Sequence, residues 1–276
     1  MEPQTSVALS IAGSDSSAGA GIQADLKTFS ALQVYGATVI TCVTAQNTTG
    51  VSAVHQIPAP IIEAQIDAVF ADLSIGAIKT GMLGDETAIV AVVSKLRALA
   101  GNLPLVVDPV MVSTTGSRLL ERGAEEALKR ELLPIATLLT PNRHEAAVLL
   151  DCAPAGAGSE VERQARRLVA LGPKSVLLKG GHSAGEEAVD VFFDGQSLLR
   201  FAAPRLHTKN THGTGCTLSA AIAAFLVRGM PLEEAIGAAK TYLQSALEHA
   251  DALRIGKGAG PLYHFWALEG RKKADG

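Results

Sequence analysis

The chain has 276 residues, of which 47% are hydrophobic and only 4% aromatic, and its formal net charge is −3. This length and hydrophobic content predict one large α/β domain, residues 1–276, with a sizeable buried core. The acidic balance and the few aromatic side chains argue against nucleic-acid binding, and no apolar run approaches the ~18 residues that span a bilayer.

Short apolar segments alternate with amphipathic helical ones. The predicted strands are VALSIAG (7–13), ATVITCV (37–43), GAIKTG (76–81), PLVVDPV (104–110), ATLLT (136–140) and SVLLKG (175–180). Most are apolar on both faces, which is typical of strands covered by helices on each side. Between them, helical spacing links residues such as Ile22, Leu26 and Phe29. The alternation predicts a parallel sheet with right-handed crossovers.

The segment AVDVFFDGQSLLRFAAP (188–204) departs from this pattern. Two β-like stretches flank Asp194 and Gly195, a pair typical of hairpin turns, so we expect an antiparallel edge. Two helices follow. One is predicted over residues 214–227, and the second begins at Pro231, because proline suits the first turn of a helix.

The cysteines and the first residues bear on cellular location. Cys42, Cys152 and Cys216 form an odd set without metal-ligand spacing, which favours reduced thiols over a disulfide framework. Glu2 stands where a signal peptide carries positive charge. We therefore expect a cytoplasmic protein.

A first glycine-rich segment, AGSDSSAGAG (12–21), lies between a predicted strand and a predicted helix. A dinucleotide site is one interpretation, but the spacing of Gly13, Gly19 and Gly21 does not match G-x-G-x-x-G. No acidic residue ends the second strand, which runs into Gln46 instead. The chain also lacks the G-x-x-x-x-G-K-[ST] pattern of P-loop kinases.

A second small-residue turn, HGTGC (212–216), directly precedes the apolar helix. Its glycines allow a ligand to approach the backbone, and the free N–H groups at the helix start attract anions, which favours phosphate binding over an ordinary helix entry. Cys216 at a helix N-terminus is expected to have a lowered pKa, although a small buried side chain is the alternative. His212 is interpreted as a hydrogen-bonding turn residue rather than a metal ligand.

Polar residues also follow other predicted strands. Asp108 closes one strand, Lys179 lies near the end of another, and Asn142 and Glu145 follow LLTP at a spacing of three. Ligands of open α/β sheets bind at the carboxyl ends of strands. The spacing of Asn142 and Glu145 equally predicts a capping box, and the sequence leaves both interpretations open. The Lys179 amine must reach solvent or an anion, because burying an unpaired charge is costly.

Together these segments resemble the ribokinase-like superfamily, and within it the hydroxymethylpyrimidine/phosphomethylpyrimidine kinases of thiamine biosynthesis. The matching segments are AGSDSSAGAGIQADLKTF (12–29), VTAQNT (43–48), KTGML (79–83), DPVM (108–111), TPNRHEA (140–146), LLKGGH (177–182) and TKNTHGTGCTLSAAIAA (208–224). They cover nearly the whole chain. The resemblance implies a three-layer α/β sandwich, with helices on both faces of a mostly parallel sheet and an antiparallel edge.

The resemblance also implies an activity and the residues that perform it. ATP, with Mg²⁺, would phosphorylate the hydroxymethyl group of the pyrimidine and then the monophosphate. The implied pyrimidine-binding residues are Gln46, Gly13, Asp25, Met82 and Val110. The implied ATP-binding residues are Asn142, Lys179, Thr211 and Lys240, with Glu145 and Asp108 at the metal. Gly213, Thr214 and Gly215 would form the anion hole, and Cys216 lies at the position of the catalytic base. A homodimer is the implied assembly.

Cys216 departs from the wider superfamily, whose members generally carry aspartate there, and agrees with the pyrimidine kinase subfamily. Phosphoryl transfer depends mainly on positioning and charge neutralisation, so a strong base is not essential. A phosphate acceptor is already largely ionised near pH 7, and an aspartate would repel it. We therefore hypothesise that cysteine permits both acceptors in one site.

Three alternatives remain open from the sequence. Pyridoxal also offers a hydroxymethyl group on a heteroaromatic ring, so pyridoxal kinase activity is the nearest rival. A ligand-binding protein that kept the fold is a second, although Glu145, Lys179 and the glycine turn are all present. A dinucleotide oxidoreductase is the third.

Overall fold

The computed structural model describes residues 5–111, 120, 123–156, 158–180 and 185–268. Its strands are β1 (Val7–Asp15), β2 (Tyr35–Asn47), β3 (Gly50–Gln56), β4 (Ile75–Thr80), β5 (Leu105–Val107), β6 (Leu138–Leu139), β7 (Val176–Leu178), β8 (Glu187–Phe193) and β9 (Leu198–Pro204). Its α-helices are α1 (Gly21–Ala31), α2 (Ala59–Asp72), α3 (Glu86–Leu99), α4 (Ala124–Ala127), α5 (Arg143–Leu149), α6 (Ser159–Val169), α7 (Thr214–Val227) and α8 (Leu232–Glu248). A π-helical turn and a 3₁₀ turn continue α4 as far as Ile135, and a further 3₁₀ turn follows α8.

All the strands join one sheet in the order β3-β2-β1-β4-β5-β6-β7-β8-β9. The strands from β2 to β7 in this order pair in parallel, whereas β3 at one edge and β8–β9 at the other are antiparallel. The predicted fold class is thus confirmed, including the hairpin around Asp194 and Gly195.

The antiparallel strand β3 was not predicted. Its side chains are partly or fully exposed, so it lacks the buried apolar run by which the other strands were found. It pairs with the end of β2, which continues to Asn47 rather than ending near residue 43. Within this extension, Gln46 pairs with Val51 of β3 and lines the ligand-binding end of the sheet.

Two hydrophobic cores cover the two faces of the sheet. Leu9 of β1 belongs to the core formed with α2, α3 and α6 on one face, and its neighbour Ala8 belongs to the core formed with α1, α7 and α8 on the other. Adjacent strand residues point to opposite faces, so a strand covered on both sides is apolar throughout. α7 is buried over most of its length, whereas α6 has one apolar face. No helix of the described residues is long and apolar enough to cross a membrane.

Candidate active site

A cavity of about 740 Å³ opens at the carboxyl ends of the parallel strands. β1 lies between β2 and β4, so the chain leaves β1 for one neighbour and later returns to its other side. Ligands bind at such reversals of strand order in open α/β sheets. The cavity is lined by all but one of the predicted site residues: Gly13, Gln46, Met82, Asp108, Val110, Asn142, Glu145, Lys179, Thr211, Gly213, Thr214, Gly215, Cys216 and Lys240. His182 of the LLKGGH segment lies outside the described residues.

The turn before α7 has the geometry of an anion site. Gly213 caps the helix with φ 86° and ψ 8°, a left-handed conformation that favours glycine. Thr214 donates its hydroxyl to the Thr211 carbonyl at 2.6 Å, which tightens the turn. Within the described part of the chain, the amides of Gly215 and Cys216 have no acceptor. These donors, at the positive end of the helix dipole, line the cavity and can bind a phosphate.

Gly215 brings this turn against a charged cluster. A methyl group at Gly215 would lie 3.1 Å from Lys179 Nζ and 3.3 Å from Asp108 Oδ2. Lys179 Nζ in turn donates to Asp108 Oδ1 at 2.8 Å. Burial alone would lower the pKa of Lys179, but the carboxylates of Asp108 and Glu145 raise it above its ordinary value. Lys179 is therefore a charged ammonium next to the free amides of the helix.

The structure confirms the capping box predicted for Asn142 and Glu145 and also places both residues at the cavity. Asn142 Oδ1 accepts from the N–H groups of His144 and Glu145 at 2.9 Å, and Glu145 Oε2 accepts from the Asn142 N–H at 2.7 Å. The two residues thus form a capping box at the start of α5. They also line the cavity, and Asn142 forms an isolated parallel bridge with Lys179.

Glu145 is a carboxylate in an unfavourable setting. Burial raises its pKa to about 7; Lys179 opposes this shift and Asp108 adds to it. Two carboxylates and one ammonium therefore share a small buried volume, so the cluster carries an excess of negative charge when Glu145 ionises. A cation bound there would relieve that excess.

The prediction of a lowered pKa for Cys216 is wrong. Burial raises the pKa of its thiol to about 11, although the Lys79 ammonium and the Gly21 N–H favour the thiolate. Burial outweighs these contacts and the helix start, because it disfavours the charged form of a thiol. Near neutral pH the side chain is a neutral thiol facing the cavity.

Asp25 is the predicted site residue that does not line the cavity. It is fully buried, accepts from Lys79 Nζ at 2.8 and 3.0 Å, and accepts from the Ser10 hydroxyl. Lys79, in contrast, does line the cavity. Burial by itself would lower the pKa of Lys79, but the Asp25 carboxylate, with smaller contributions from other nearby groups such as Asp108, holds it above the usual range. The side chain that reaches the cavity is therefore Lys79, and Asp25 is its buried counter-ion.

The opposite end of the cavity is built from the ends of β1 and β2. Gly13 has no room for a side chain, because a methyl group there would lie 2.6 Å from Cys42 Sγ. Met82 follows β4 and is held by the Thr41 hydroxyl, which donates to its carbonyl at 2.7 Å. Gln46 presents its side-chain amide between Thr44 and His212. This end of the cavity is small and partly apolar, and it offers one side-chain amide that can hydrogen-bond to a ring, as is typical of a ring-binding site.

Lys240 lines a further part of the cavity, where its ammonium is already paired with a carboxylate. Its ammonium donates to Asp190 Oδ2 at 2.6 Å and to the Ala188 carbonyl at 2.9 Å. Asp190 also accepts from the Gly180 N–H at 2.8 Å. Apolar side chains line the cavity beside this pair: Pro204, Leu206, Leu243 and Leu247.

Sequence reasoning missed several residues that the fold brings to this cavity, among them Asp15, Lys79 and Asp190. Each is a charged residue within or directly after an apolar strand, and that pattern was the available signal. Buried charges of this kind need a partner from elsewhere in the chain, and the sequence does not show which one.

A mostly parallel sheet, an anion-binding helix start and a lysine–carboxylate cluster at neighbouring strand ends define a ribokinase-like phosphotransferase. Residues 15–263 match the family model described as phosphomethylpyrimidine kinase. The chain is 56% identical over 261 residues to a hydroxymethylpyrimidine/phosphomethylpyrimidine kinase of Rhizobium meliloti, covering 95% of this chain and 97% of the relative. The chain therefore belongs to the phosphomethylpyrimidine kinase family and is a kinase.

Two solved structures agree with this assignment. An ADP complex of Bacillus subtilis pyridoxal kinase superposes with a TM-score of 0.87 at 34% identity, covering 96% of this chain and all of that one. A phosphomethylpyrimidine kinase from Clostridium difficile superposes with a TM-score of 0.77 at 42% identity, covering 87% of this chain and 98% of that one. Both the fold and the sequence thus connect the chain to vitamin kinases.

Proposed function

We propose that this kinase transfers the γ-phosphate of ATP to 4-amino-5-hydroxymethyl-2-methylpyrimidine and then phosphorylates the monophosphate to the diphosphate, in thiamine biosynthesis. One observation carries the proposal: a single cavity joins a ring-sized end at Gln46 and Gly13 to the anion turn and the charged cluster. The activities named for the family's members supply the substrate.

Phosphate groups would be held by the turn and by Lys179. The amides of Gly215 and Cys216 point to where negative charge must be accommodated, and the Lys179 ammonium lies next to them. Phosphoryl transfer proceeds through a loose transition state, so fixed donors and cations around the transferred group supply most of the catalysis. The apolar residues beside Lys240 are suited to the adenine ring, and Thr211, which precedes the turn in sequence, also lines the cavity.

The residues present fit a magnesium ion. Among the described residues no group of three or more His, Cys, Asp or Glu could hold a metal, but Asp108 and Glu145 offer two carboxylates in the charged cluster. Mg²⁺ is commonly bound by one or two carboxylates together with substrate phosphates and water. When bound, it would neutralise charge on the ATP phosphates. The raised pKa of Glu145 supports the binding of a cation there, because a positive charge would favour the ionised carboxylate.

The neutral Cys216 thiol supports the two successive acceptors. For the hydroxymethyl acceptor, a thiol that stays protonated is compatible with the reaction, because a loose transition state does not require a strong base to remove the alcohol proton early. For the monophosphate, whose second pKa is ~6, a neutral side chain avoids the repulsion that an aspartate would exert. The positive charge of Lys79, close to Cys216, would favour both the anionic monophosphate acceptor and the phosphorylated product.

Pyridoxal kinase activity is a second candidate. The superposition with Bacillus subtilis pyridoxal kinase supports it, since its TM-score of 0.87 exceeds the 0.77 of the phosphomethylpyrimidine kinase structure. A coupled assay of ADP release with the pyrimidine, its monophosphate and pyridoxal, side by side, tests both functions. We expect the pyrimidine and its monophosphate to be used with the higher kcat/KM. Turnover of pyridoxal alone would reverse the assignment.

We further propose a single-domain homodimer in the cytoplasm. All the described strands form one sheet, which supports one domain. Val43 and Val54, on opposite faces of the β2–β3 pair, and Ile61 in α2 are exposed apolar side chains near this edge, where a second copy would pack. The three cysteines are unpaired, as expected in a reducing compartment. Sedimentation equilibrium would test the dimer, with Val54→Lys expected to shift it towards the monomer.

A further inference from the structure

Asp15 gathers an unusual number of hydrogen-bond donors at the end of β1. Its carboxylate is 3% exposed. Oδ1 accepts from the N–H and the hydroxyl of Ser17 at 2.8 and 2.7 Å, and Oδ2 accepts from the N–H groups of Gly19 and Ala20 at 3.1 and 2.8 Å. Four donors leave no reason for this group to carry a proton, because an ionised carboxylate only accepts.

The ionised Asp15 decides which nitrogen of His212 is protonated. His212 Nε2 lies 2.8 Å from Asp15 Oδ2, within a buried pair. A lone pair on Nε2 would repel the carboxylate, so Nε2 carries a hydrogen in the neutral and in the protonated ring alike. The ring also lies against Gly19, where a side chain would overlap it. His212 is therefore a fixed donor at the edge of the cavity.

The Gln46 amide lies next to this donor. In the structure its terminal nitrogen is 3.2 Å from His212 Nε2, and its terminal oxygen is 3.2 Å from the Thr44 hydroxyl. Thr44 donates its single hydroxyl hydrogen to the Ser14 carbonyl at 2.9 Å. With this orientation two N–H donors face each other at His212, and the Gln46 oxygen faces a hydroxyl whose hydrogen is already used.

Turning the amide by 180° removes both conflicts. The oxygen and nitrogen of an amide have nearly the same shape, so hydrogen-bonding partners decide between the two orientations. After the turn, Gln46 Oε1 shares the single Nε2 hydrogen of His212 with Asp15 Oδ2, and Gln46 Nε2 donates to the Thr44 oxygen. The main chain of Gln46 is held in place as well, since the Ser16 hydroxyl donates to its carbonyl at 2.7 Å and accepts from its N–H at 2.8 Å.

We propose that Asp15 and His212 are positioning residues that lock the Gln46 amide with its oxygen towards His212, and that this lock selects the substrate ring. This inference rests on the proposed function. The locked amide leaves one acceptor and one donor for the cavity, in a defined order. A ring with an exocyclic amine beside a ring nitrogen, as in a 4-aminopyrimidine, matches that order. A 4-oxopyrimidine presents a carbonyl beside an N–H, which is the reverse order.

The ring cannot escape the mismatch by turning over. Its hydroxymethyl group must face the turn at residues 213–216, and turning the ring would move that group away. Only rotation of the Gln46 amide would let the 4-oxo ring bind equally well, and His212 and Thr44 oppose that rotation. A site whose buried polar groups are left mispaired discriminates strongly, by factors well above ~100.

The experiment compares kcat/KM for 4-amino-5-hydroxymethyl-2-methylpyrimidine with that for its 4-oxo analogue. For the unaltered chain we expect a preference of at least about 100-fold for the amino compound. His212→Leu frees the amide and should lower this ratio at least tenfold, chiefly by raising KM for the amino compound and lowering it for the oxo compound. His212→Gln keeps a terminal N–H at a similar reach and should restore most of the ratio.

Thr44→Val is a second variant that removes the other anchor with little change of shape. It should also lower the ratio, because the Gln46 amide loses its contact with the Thr44 hydroxyl. Valine is well suited to a strand, so the fold should be preserved. The KM for ATP and the midpoint of thermal unfolding report on general damage, which would lower activity on both rings equally. A ratio unchanged in folded His212→Leu and Thr44→Val would overturn the proposal. If the unaltered chain does not phosphorylate the amino compound at all, the proposed function fails first, and the inference with it.

Discussion

Gly213 lies so close to Gly19 that a methyl group added to it would overlap the Gly19 carbonyl oxygen. This contact joins the loop after β1 to the turn before α7, which are almost 200 residues apart in the chain. Because Gly213 also has a positive φ of 86°, two separate physical reasons require glycine there.

We predict that Gly213→Ala will lower kcat by about 100-fold, since displacing the turn misdirects the donors that hold the phosphate. Gly229→Ala is the matched control. Gly229 has nearly the same φ, 85°, but a methyl group there meets nothing within 4 Å. Each variant should lose ~1–2 kcal/mol of stability for the left-handed conformation. Steady-state kinetics and thermal unfolding separate the two effects; equal kinetics in both variants would contradict the prediction.

Glu145→Gln should raise stability while lowering activity. The pKa of Glu145 in the folded chain is about 7, above its usual 4.5, because the ionised form is buried. The stability associated with the protonated form is therefore fully present below pH 4.5 and lost as the pH rises through 7. Glutamine stays neutral, so we expect its unfolding midpoint to exceed that of the unaltered chain by about 2–6 °C at pH 8.

The same comparison at pH 4.5 should show almost no difference in midpoint. In kinetics, kcat/KM for Mg-ATP should fall below about pH 7 in the unaltered chain, as the ligand carboxylate becomes protonated. That acid limb should be absent in Glu145→Gln, whose activity is low throughout. A stability gain of equal size at pH 4.5 and 8 would show that burial of the charge is not the cause.

Cys216→Asp tests the role of a neutral side chain. We expect the monophosphate step to lose at least about tenfold more in kcat/KM than the alcohol step, because the aspartate repels the doubly charged acceptor. Cys216→Ser, which stays neutral, should affect both steps to a similar degree. Separate assays with the pyrimidine and with its monophosphate give the two values. The idea is wrong if the monophosphate step is spared while the alcohol step suffers.

Lys79→Met should destabilise the chain by about 3–5 kcal/mol, because it leaves the buried Asp25 carboxylate without its counter-ion. The double variant Lys79→Met/Asp25→Leu removes both charges and should recover most of that loss. Denaturant unfolding measures the two changes. Activity should remain at least about tenfold reduced in the double variant, since the cavity has lost a cation. Full recovery of kcat in the double variant would show that Lys79 contributes only to the stability of the fold.

Local pattern was sufficient for much of the molecule. Apolar runs identified the central strands, and small residues before an apolar helix identified the anion turn at 213–216, because both depend on neighbours in sequence. The ring-side residues, such as Gln46, were predicted from the resemblance, because a β-strand's own sequence does not show which residue near its end faces a cavity. The exposed strand β3 escaped notice because it buries little apolar surface.

Tertiary structure decided what the sequence left open or led us to mispredict. Spacing alone could not tell whether Asn142 and Glu145 cap a helix or face a ligand, and the fold shows that they cap α5 and also line the cavity. A helix start suggested an acidic Cys216, but burial by distant segments reversed the direction of its pKa. Asp25 is buried as the counter-ion of Lys79, and Asp15 at the end of β1 pairs with His212 in the turn before α7. The sequence by itself determined which elements form and where small and charged residues stand. Which charges meet, and how far water is excluded from them, depends on contacts between remote segments, and only the folded chain makes those contacts.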